Sequence, residues 1–354
     1  MRTSLPKPAG RLRRLARTGA RIAIALVVAL LTLLAAGYAA GAERFWPVAQ
    51  AQYVPYPVFL LPALSAAGLS LLLGWPWRVL ACLAVVLVLV VFMGFEANVG
   101  GGHGERLRVM TYNIKGYVAR EREGGFREIA REIALHDPDI LVLQDARELK
   151  AARLSDPEST RTILGERHVF SFGQYVVASR YPLRECGHRL IAVRDQDHTY
   201  VSCVVVARGT EIDLVTAHLL TPRHGLNATR EDPVEGIDDW KQNVAGRLGQ
   251  AEILAQDLRK RWRPVILAGD LNAPVGSLVV RALLETGLRD AFSEAGTGFG
   301  YTWGHSLRTG FSFLRIDHIL ASPEFEVARC FTGGKQGSAH RPVIADLHFV
   351  GRSG

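Results

Sequence analysis

The chain has 354 residues, 48% of them hydrophobic, and a formal net charge of +8. Its length allows one large domain or two ordinary ones. Arg2, Lys7, Arg11, Arg13, Arg14, Arg17 and Arg21 supply seven positive charges with no acidic residue among them, which leaves about +1 for everything after Arg21; the body therefore lacks the basic surplus that marks many nucleic-acid binders.

Three apolar stretches follow the basic tail. Ile22 to Ala40 is broken only by Thr32 and Tyr38, Val54 to Leu73 carries prolines near its start and middle, and Val79 to Phe95 is free of charge. Each is close to the ~20 residues that cross ~30 Å of hydrocarbon as helix. We read residues 22–97 as a three-helix membrane anchor. A cleaved signal peptide would account for the first stretch but not for two more. Positive charge stays on the cytoplasmic side, so residues 1–21 form a cytoplasmic tail. Three crossings then deliver everything after Phe95 to the extracytoplasmic face of the cell membrane. Residues 98–104, with four glycines, read as a linker to a soluble domain over 105–350. Cys82 lies in the third apolar stretch. Of Cys186, Cys203 and Cys330, at most one disulfide could form, and Cys186 with Cys203, on neighbouring predicted strands, is the pair best placed for it.

The soluble part reads as strands with helices between them. Leu107–Asn113, Asp139–Leu143, Tyr175–Ser179, Thr199–Val206, Ile212–Ala217, Val265–Ala268, Ile316–Leu320, Val327–Phe331 and Pro342–Leu347 are short apolar runs of strand type. Gly125–His136 and Val244–Leu258 have helical apolar spacing. Strands outnumber helices, which fits an α+β sandwich of two packed sheets. The polar residues sit in a telling place: Asn113, Asp145, His218, Asp270 with Asn272, Asp317 and His340 all lie in, at or just past the end of an apolar strand. Strands aligned side by side would gather them on one rim, suited to a hard cation and a phosphate.

These strand-end residues lie within or beside eight short segments in order: Met110-Thr-Tyr-Asn-Ile114, Leu143-Gln-Asp145, Ser179-Arg-Tyr-Pro182, Ala217-His-Leu219, Gly269-Asp-Leu-Asn272, Tyr301-Thr-Trp303, Arg315-Ile-Asp-His318 and Ser338-Ala-His-Arg-Pro342. Together they resemble the endonuclease/exonuclease/phosphatase superfamily, over roughly Leu107 to Leu347. The resemblance implies a DNase I-like four-layer α/β/β/α sandwich and Mg²⁺- or Mn²⁺-dependent cleavage of a phosphoester. Substrate does not follow from the fold. Residue by residue it implies that Asn113 orients metal ligands or water and that Asp145 is the main metal ligand, standing where the family usually has glutamate. His218 would contact phosphoryl oxygens. Asp270 would orient or deprotonate a water, and Asn272 would donate to the phosphoryl group. Asp317 would fix the tautomer of His340, a base or charge stabiliser. His318, next to Asp317 on an alternating strand, points away and is left out of the site. Bland readings compete with these: an Asp-x-Asn turn for 270–272, an Asn turn cap for Asn113, an exposed strand-end acid for Asp145.

The family usually has Ser-Asp-His where this chain has Ser338-Ala339-His340, so one carboxylate is missing on the metal side. Mg²⁺ needs only one or two carboxylates, and a single-ion site remains feasible. Anchoring and a near-neutral domain favour a lipid-linked phosphate or pyrophosphate, or another surface substrate, over DNA; three spans joined to this domain are also similar to bacterial membrane proteins linked to teicoplanin resistance, a resemblance that implies action on cell-envelope phospholipids. An extracytoplasmic nuclease, or a binding or sensor module that has lost catalysis, is the alternative.

Overall fold

The computed structural model describes residues 8–102, 104–149, 156–193, 198–308 and 310–351; Arg2 and Lys7 of the basic tail lie outside them. The chain divides into two compact units, Met1–Phe95 and Glu96–Gly354.

In the first unit, helices run over Pro8–Gly41, Trp46–Ala51, Pro57–Ser70 and Trp75–Leu87, the last continuing as a π-helical turn over Val88–Phe92. Two stretches are long and apolar enough to cross a membrane, Arg11–Arg44 and Trp75–Phe92. The expected second span, Val54 to Leu73, does not reach that length. Its helix has 14 residues, about 21 Å at 1.5 Å per residue, against the ~30 Å of a hydrocarbon core. Proline is the physical reason. Pro57 occupies the first helical position, where its missing N–H costs nothing, and Pro62 removes one bond from the interior.

Contacts inside this unit fix the direction of its helices. Ala20 and Ile24 of the first helix share a buried cluster with Ala66 and Leu73, late in the Pro57–Ser70 helix and its exit turn, and with Ala81, early in the Trp75 helix. Farther along, the Phe92 ring lies 5.2 Å from Tyr38 and 5.0 Å from Phe59. The first and last helices therefore run parallel, and the short helix runs antiparallel to both. Ala63, Ala66, Ala81 and Ala84 are buried while Leu26, Leu30, Leu33, Leu61 and Leu83 are exposed. The contacts between these helices thus use several alanines together with Ile24, Leu31 and Leu73, while many leucines face outward.

The second unit holds two six-stranded sheets. One contains β2 (Arg106–Asn113), β3 (Ile140–Gln144), β4 (His168–Phe172), β5 (Tyr175–Ser179), β13 (Phe325–Thr332) and β14 (Val343–Phe349), in the order β13-β14-β2-β3-β5-β4. The other contains β6 (Leu183–Leu190), β7 (Thr199–Ala207), β8 (Thr210–Ala217), β9 (Val265–Asp270), β10 (Arg289–Asp290) and β12 (Asp317–Ala321), in the order β10-β12-β9-β8-β7-β6. A two-stranded pair, β1 (Glu96–Ala97) with β11 (Thr297–Gly298), completes the set.

Alternation of side chains explains the layers. Leu107 and Val109 of β2, Ile140 and Val142 of β3, Ile212 and Leu214 of β8, Ile266 and Ala268 of β9, and Ile319 and Ala321 of β12 all join one core between the sheets. The opposite residues of the first sheet, Met110, Tyr112, Leu141 and Leu143, pack on Phe126, Ile129 and Ile133 of helix Gly125–His136 and on Ile163 of helix Pro157–Leu164. Val215 and Leu267 of the second sheet pack on helices Gly236–Arg259 and Leu278–Leu284 through Leu254, Leu258, Val280 and Leu283. Helix, sheet, sheet, helix is the expected α+β sandwich. A disulfide joins Cys186 of the edge strand β6 to Cys203 of β7.

Candidate active site

Following the inward-facing positions of the central strands to one end shows where the site comes from. Leu107 and Val109 give way to Thr111 and Asn113, Ile140 and Val142 to Gln144, Ile212 and Leu214 to Thr216 and then His218, and Ile266 and Ala268 to Asp270. The interior turns polar at this rim, and its groups bond to one another, as buried polar groups must. Gln144 Nε2 donates to Thr216 Oγ1 (3.0 Å) and to Thr111 Oγ1 (3.1 Å). Asp317 opens β12 directly across from Asp270, its register partner.

Asp270 is the centre. It is fully buried, and its Oδ2 accepts from Asn113 Nδ2 at 2.9 Å while facing Nε2 of His218 at 3.4 Å and Nε2 of His340 at 3.8 Å. Its Oδ1 accepts from the N–H of Asn272 at 3.0 Å, closing an Asp-x-Asn turn in which Asn272 has a left-handed backbone (φ 50°). The turn uses one oxygen and leaves the other to Asn113 and the two imidazoles, so turn and site are not rival readings. Gly269 is required here, because a Cβ on it would stand 2.1 Å from the carbonyl oxygen of Ala217. Only glycine lets β9 approach β8 closely enough to set Asp270 beside His218.

His340 donates from Nδ1 to Asp317 Oδ2 at 2.9 Å. Thr302 Oγ1 accepts from the N–H groups of Ile316 and Asp317, so the Tyr301-Thr-Trp303 segment positions the acid. The other oxygen, Asp317 Oδ1, is buried without a hydrogen-bond partner among the described residues. His218 donates from Nδ1 to Gln174 Oε1 at 2.6 Å, and its backbone N–H reaches the Tyr175 hydroxyl. Helix Gly236–Arg259 supports this segment with a polar buried face. Gln250 accepts from the Leu220 N–H and Asn243 donates to the Thr221 carbonyl.

Asp145 sits one residue past β3, with φ 50°. Its Oδ2 is 2.7 Å from Lys115 Nζ, and its Oδ1 is 3.7 Å from His218 Nδ1. All seven expected residues therefore belong to one connected network, with Asp145 joined through His218 and Lys115. His318 lies outside it. Its two ring nitrogens face Asp290 Oδ2 (3.0 Å) and the Ala273 carbonyl (2.9 Å), both acceptors, which leaves no free ring nitrogen for a ligand. Ala339 is half-buried beside His340 and brings no carboxylate.

Lys115 and Gln174 are the participants the sequence reading missed. Lys115 follows Asn113 by two positions at a strand end, and that spacing could have found it. Gln174 lies in the tight turn between β4 and β5 and carries no local signal.

The charges reinforce one another. Burial raises the Asp270 carboxyl, but the positive His340, His218 and Lys115 hold it below the ordinary carboxylate range. Asp145 follows the same pattern, with burial overcome by His218 and Lys115. For His340, burial lowers the imidazole, and the charges of Asp317 and Asp270 raise it above its ordinary value. The network thus favours the charged form of its acids and of the His340 imidazole together.

Residues 110–340, well over half of the chain, match the family model described as Endonuclease/Exonuclease/phosphatase family. The chain belongs to this family. Its phosphoester-hydrolysing chemistry agrees with the acids, amides and imidazoles of the cleft. Solved structures repeat the fold at low identity. TDP2 of D. rerio, humanised by 14 mutations, is 19% identical with a TM-score of 0.53, over 68% of this chain and 98% of that one. The mannosyl-6-phosphatase of Bacteroides thetaiotaomicron is 19% identical with a TM-score of 0.51, over 69% and 100%. The structure of D. rerio TDP2 with a single-strand DNA product is 17% identical with a TM-score of 0.53, over 69% and 99%. No curated protein matches the sequence.

Proposed function

We propose that this chain is a membrane-anchored, divalent-metal-dependent phosphoester hydrolase that works at the extracytoplasmic face on a lipid-linked phosphate or pyrophosphate. The observation that carries the hydrolase reading is the meeting of His218 and His340 on one oxygen of Asp270, a carboxylate already oriented by Asn113. The residues fit a hard cation. Donor atoms of Asp270, Asp317 and His340 lie within 4.8 Å of one another, Asp317 Oδ1 lacks a hydrogen-bond partner, and Asp145 with Asn113 adds a carboxylate and an amide oxygen. Asp145 and Asn113, which offer hard oxygen donors, would hold Mg²⁺ or Mn²⁺, leaving His340 to the phosphoryl group. A bound ion would supply charge neutralisation for the phosphoryl oxygens.

The chain's own residues account for the remaining steps. Asp270 Oδ2, ionised and buried, orients the attacking water and accepts its proton as the bond to phosphorus forms, while the bond from phosphorus to the leaving oxygen breaks and that oxygen departs with a proton from solvent. Asn272 and His218 donate toward phosphoryl oxygens, and the protonated His340, fixed by Asp317, stabilises the charge that develops on them. Gln174 holds the His218 ring in place.

Two features support the extracytoplasmic placement. A basic helix start belongs in the cytoplasm, and because the last helix of the first unit runs parallel to the first, its end at Phe92 faces the opposite side. The Cys186–Cys203 disulfide suits an oxidising compartment. The near-neutral body favours a surface substrate over nucleic acid.

The test uses the full chain in detergent micelles, with Mg²⁺, Mn²⁺ or EDTA, against a nitrophenyl phosphodiester, a nitrophenyl monoester, single-stranded DNA and a polyprenyl pyrophosphate. Metal-dependent turnover, fastest on the lipid-linked substrate, is expected. Fastest turnover on DNA would replace this substrate with the nuclease alternative, and inertness toward all four would leave a binding module. Reporter fusions after Phe95 test the topology; cytoplasmic reporter activity would overturn it.

A further inference from the structure

Lys115 is placed with unusual care for a surface-type residue. It has a left-handed backbone (φ 45°, ψ 52°) just before helix Gly116–Glu121, and its side chain is only 15% exposed. Asp145, opposite it, is also left-handed. Non-glycine residues adopt this conformation at a cost, and they keep it where the surroundings dictate it. Here the surroundings are explicit. The Lys115 N–H donates to Asn113 Oδ1 (3.2 Å), the Gly116 N–H donates to the Asp145 carbonyl (2.7 Å), and the Ile114 N–H donates to the Gln144 carbonyl (3.0 Å). Gly116 has no room for a side chain, since a Cβ would stand 2.7 Å from the Asp145 carbonyl oxygen. Two loops are thus stitched together so that Lys115 Nζ rests 2.7 Å from Asp145 Oδ2.

The carboxylate best suited to hold a divalent ion is therefore already neutralised by a cation of the chain itself. No second acid stands at Ala339 to share the load. A monovalent ammonium on a flexible four-carbon stem, carrying three donors, is a ligand that a divalent ion can displace and that can turn to a new acceptor. We propose that Lys115 is a resident cation that holds Asp145 until a divalent ion takes the carboxylate, and that its displaced ammonium then binds a phosphoryl oxygen of the substrate. This rests on the hydrolase reading above and assigns Lys115 a part in both metal loading and substrate binding.

The experiment measures Mn²⁺ affinity by titration calorimetry on the full chain in micelles, followed by the affinity of the Mn²⁺-loaded protein for inorganic phosphate. The variants are Lys115→Met, Asp145→Asn and the double variant, with Lys115→Gln as a second replacement should the methionine fail to fold. Removing the competing ammonium is expected to tighten Mn²⁺ binding about tenfold and to weaken phosphate binding about tenfold. In the Asp145→Asn background the Lys115 replacement is expected to leave Mn²⁺ affinity unchanged, because the competition needs the carboxylate. A merely structural lysine would not move the two affinities in opposite directions. Unchanged or weaker Mn²⁺ binding by a Lys115 variant with native circular dichroism overturns the proposal while leaving a wild-type chain that binds Mn²⁺ and hydrolyses phosphoesters as the enzyme proposed. A wild-type chain that binds no Mn²⁺ overturns both.

Discussion

The two sides of the cleft are built in different ways. Asp270, Asp317 and His340 are tied to the regular sheet. Asp270 ends β9, Asp317 begins β12, and the two strands pair residue by residue. Asp145 and Lys115 lie beyond their strands, in left-handed turns that face each other. The imidazole side is fixed by strand register before any ligand arrives. On the other side an internal ion pair occupies the carboxylate. On the proposed mechanism, a site made this way has its proton chemistry preorganised and its metal side open to exchange.

The largest effect expected from breaking the imidazole side comes from Asp270→Asn, which keeps volume and removes the charge on which both imidazoles converge. Hydrolysis should fall about 10³-fold, roughly 4 kcal/mol of barrier, with unchanged circular dichroism. Full activity in this variant would end the mechanism.

The next effect is on stability rather than rate. Behind β12, Asp290 is buried against Arg315 (2.6 Å) and His318 (3.0 Å). Burial alone would raise this carboxyl, but Arg315 and His318 hold it far below its usual range. Arg315→Met strands that charge, and denaturant unfolding should show a loss of about 3–5 kcal/mol. A loss under 1 kcal/mol would mean that the imidazole side is not braced from behind.

Asp317→Asn probes the protonation of His340. Because folding raises this imidazole above its ordinary value, its stabilising share is full below the unfolded value near 6.5 and is lost as pH rises through the folded value. Asp317 is the largest of the charges that raise it. The variant should therefore lose activity about 10²-fold and move the alkaline limb of its pH–rate profile to lower pH. An alkaline limb that stays put would show that His340 does not set it.

How much of this was legible in sequence depends on where each residue sits. β5 was read as Tyr175–Ser179 and helix Gly125–His136 as such, because buried central elements carry unbroken apolar periodicity. β4 carries no such pattern, and the sequence marks β6 only around Cys186. Both are edge strands with half-exposed faces that show no such pattern. Helix Gly236–Arg259 begins eight residues before the apolar spacing at Val244, since its first two turns bury only Gly236, Trp240 and Asn243, with Trp240 the single large apolar side chain among them. Asn243, like Gln250 farther along, serves the loop after His218 rather than the core. The seven candidate residues are legible because each lies in or beside one of an ordered set of short motifs, most of them at the end of an apolar strand. Gln174 is not, because a glutamine in a turn gains meaning only from the His218 ring that folding brings to it.

The smallest effect belongs to the metal side, where the chain departs from its family. Ala339 lies between Ser338, whose hydroxyl donates to the Asn113 carbonyl at 2.7 Å, and His340. It is half-buried, so a carboxylate can be introduced there without entering the core. Ala339→Asp should add a hard oxygen ligand and tighten Mn²⁺ binding several-fold, roughly 1 kcal/mol. Lys115 would compete less well against an ion held by two acids, so the gain should shrink when Lys115→Met is already present. Weaker Mn²⁺ binding on adding the acid would mean that the ion sits instead among Asp270, Asp317 and His340, and that Asp145 serves only as the counter-ion of Lys115.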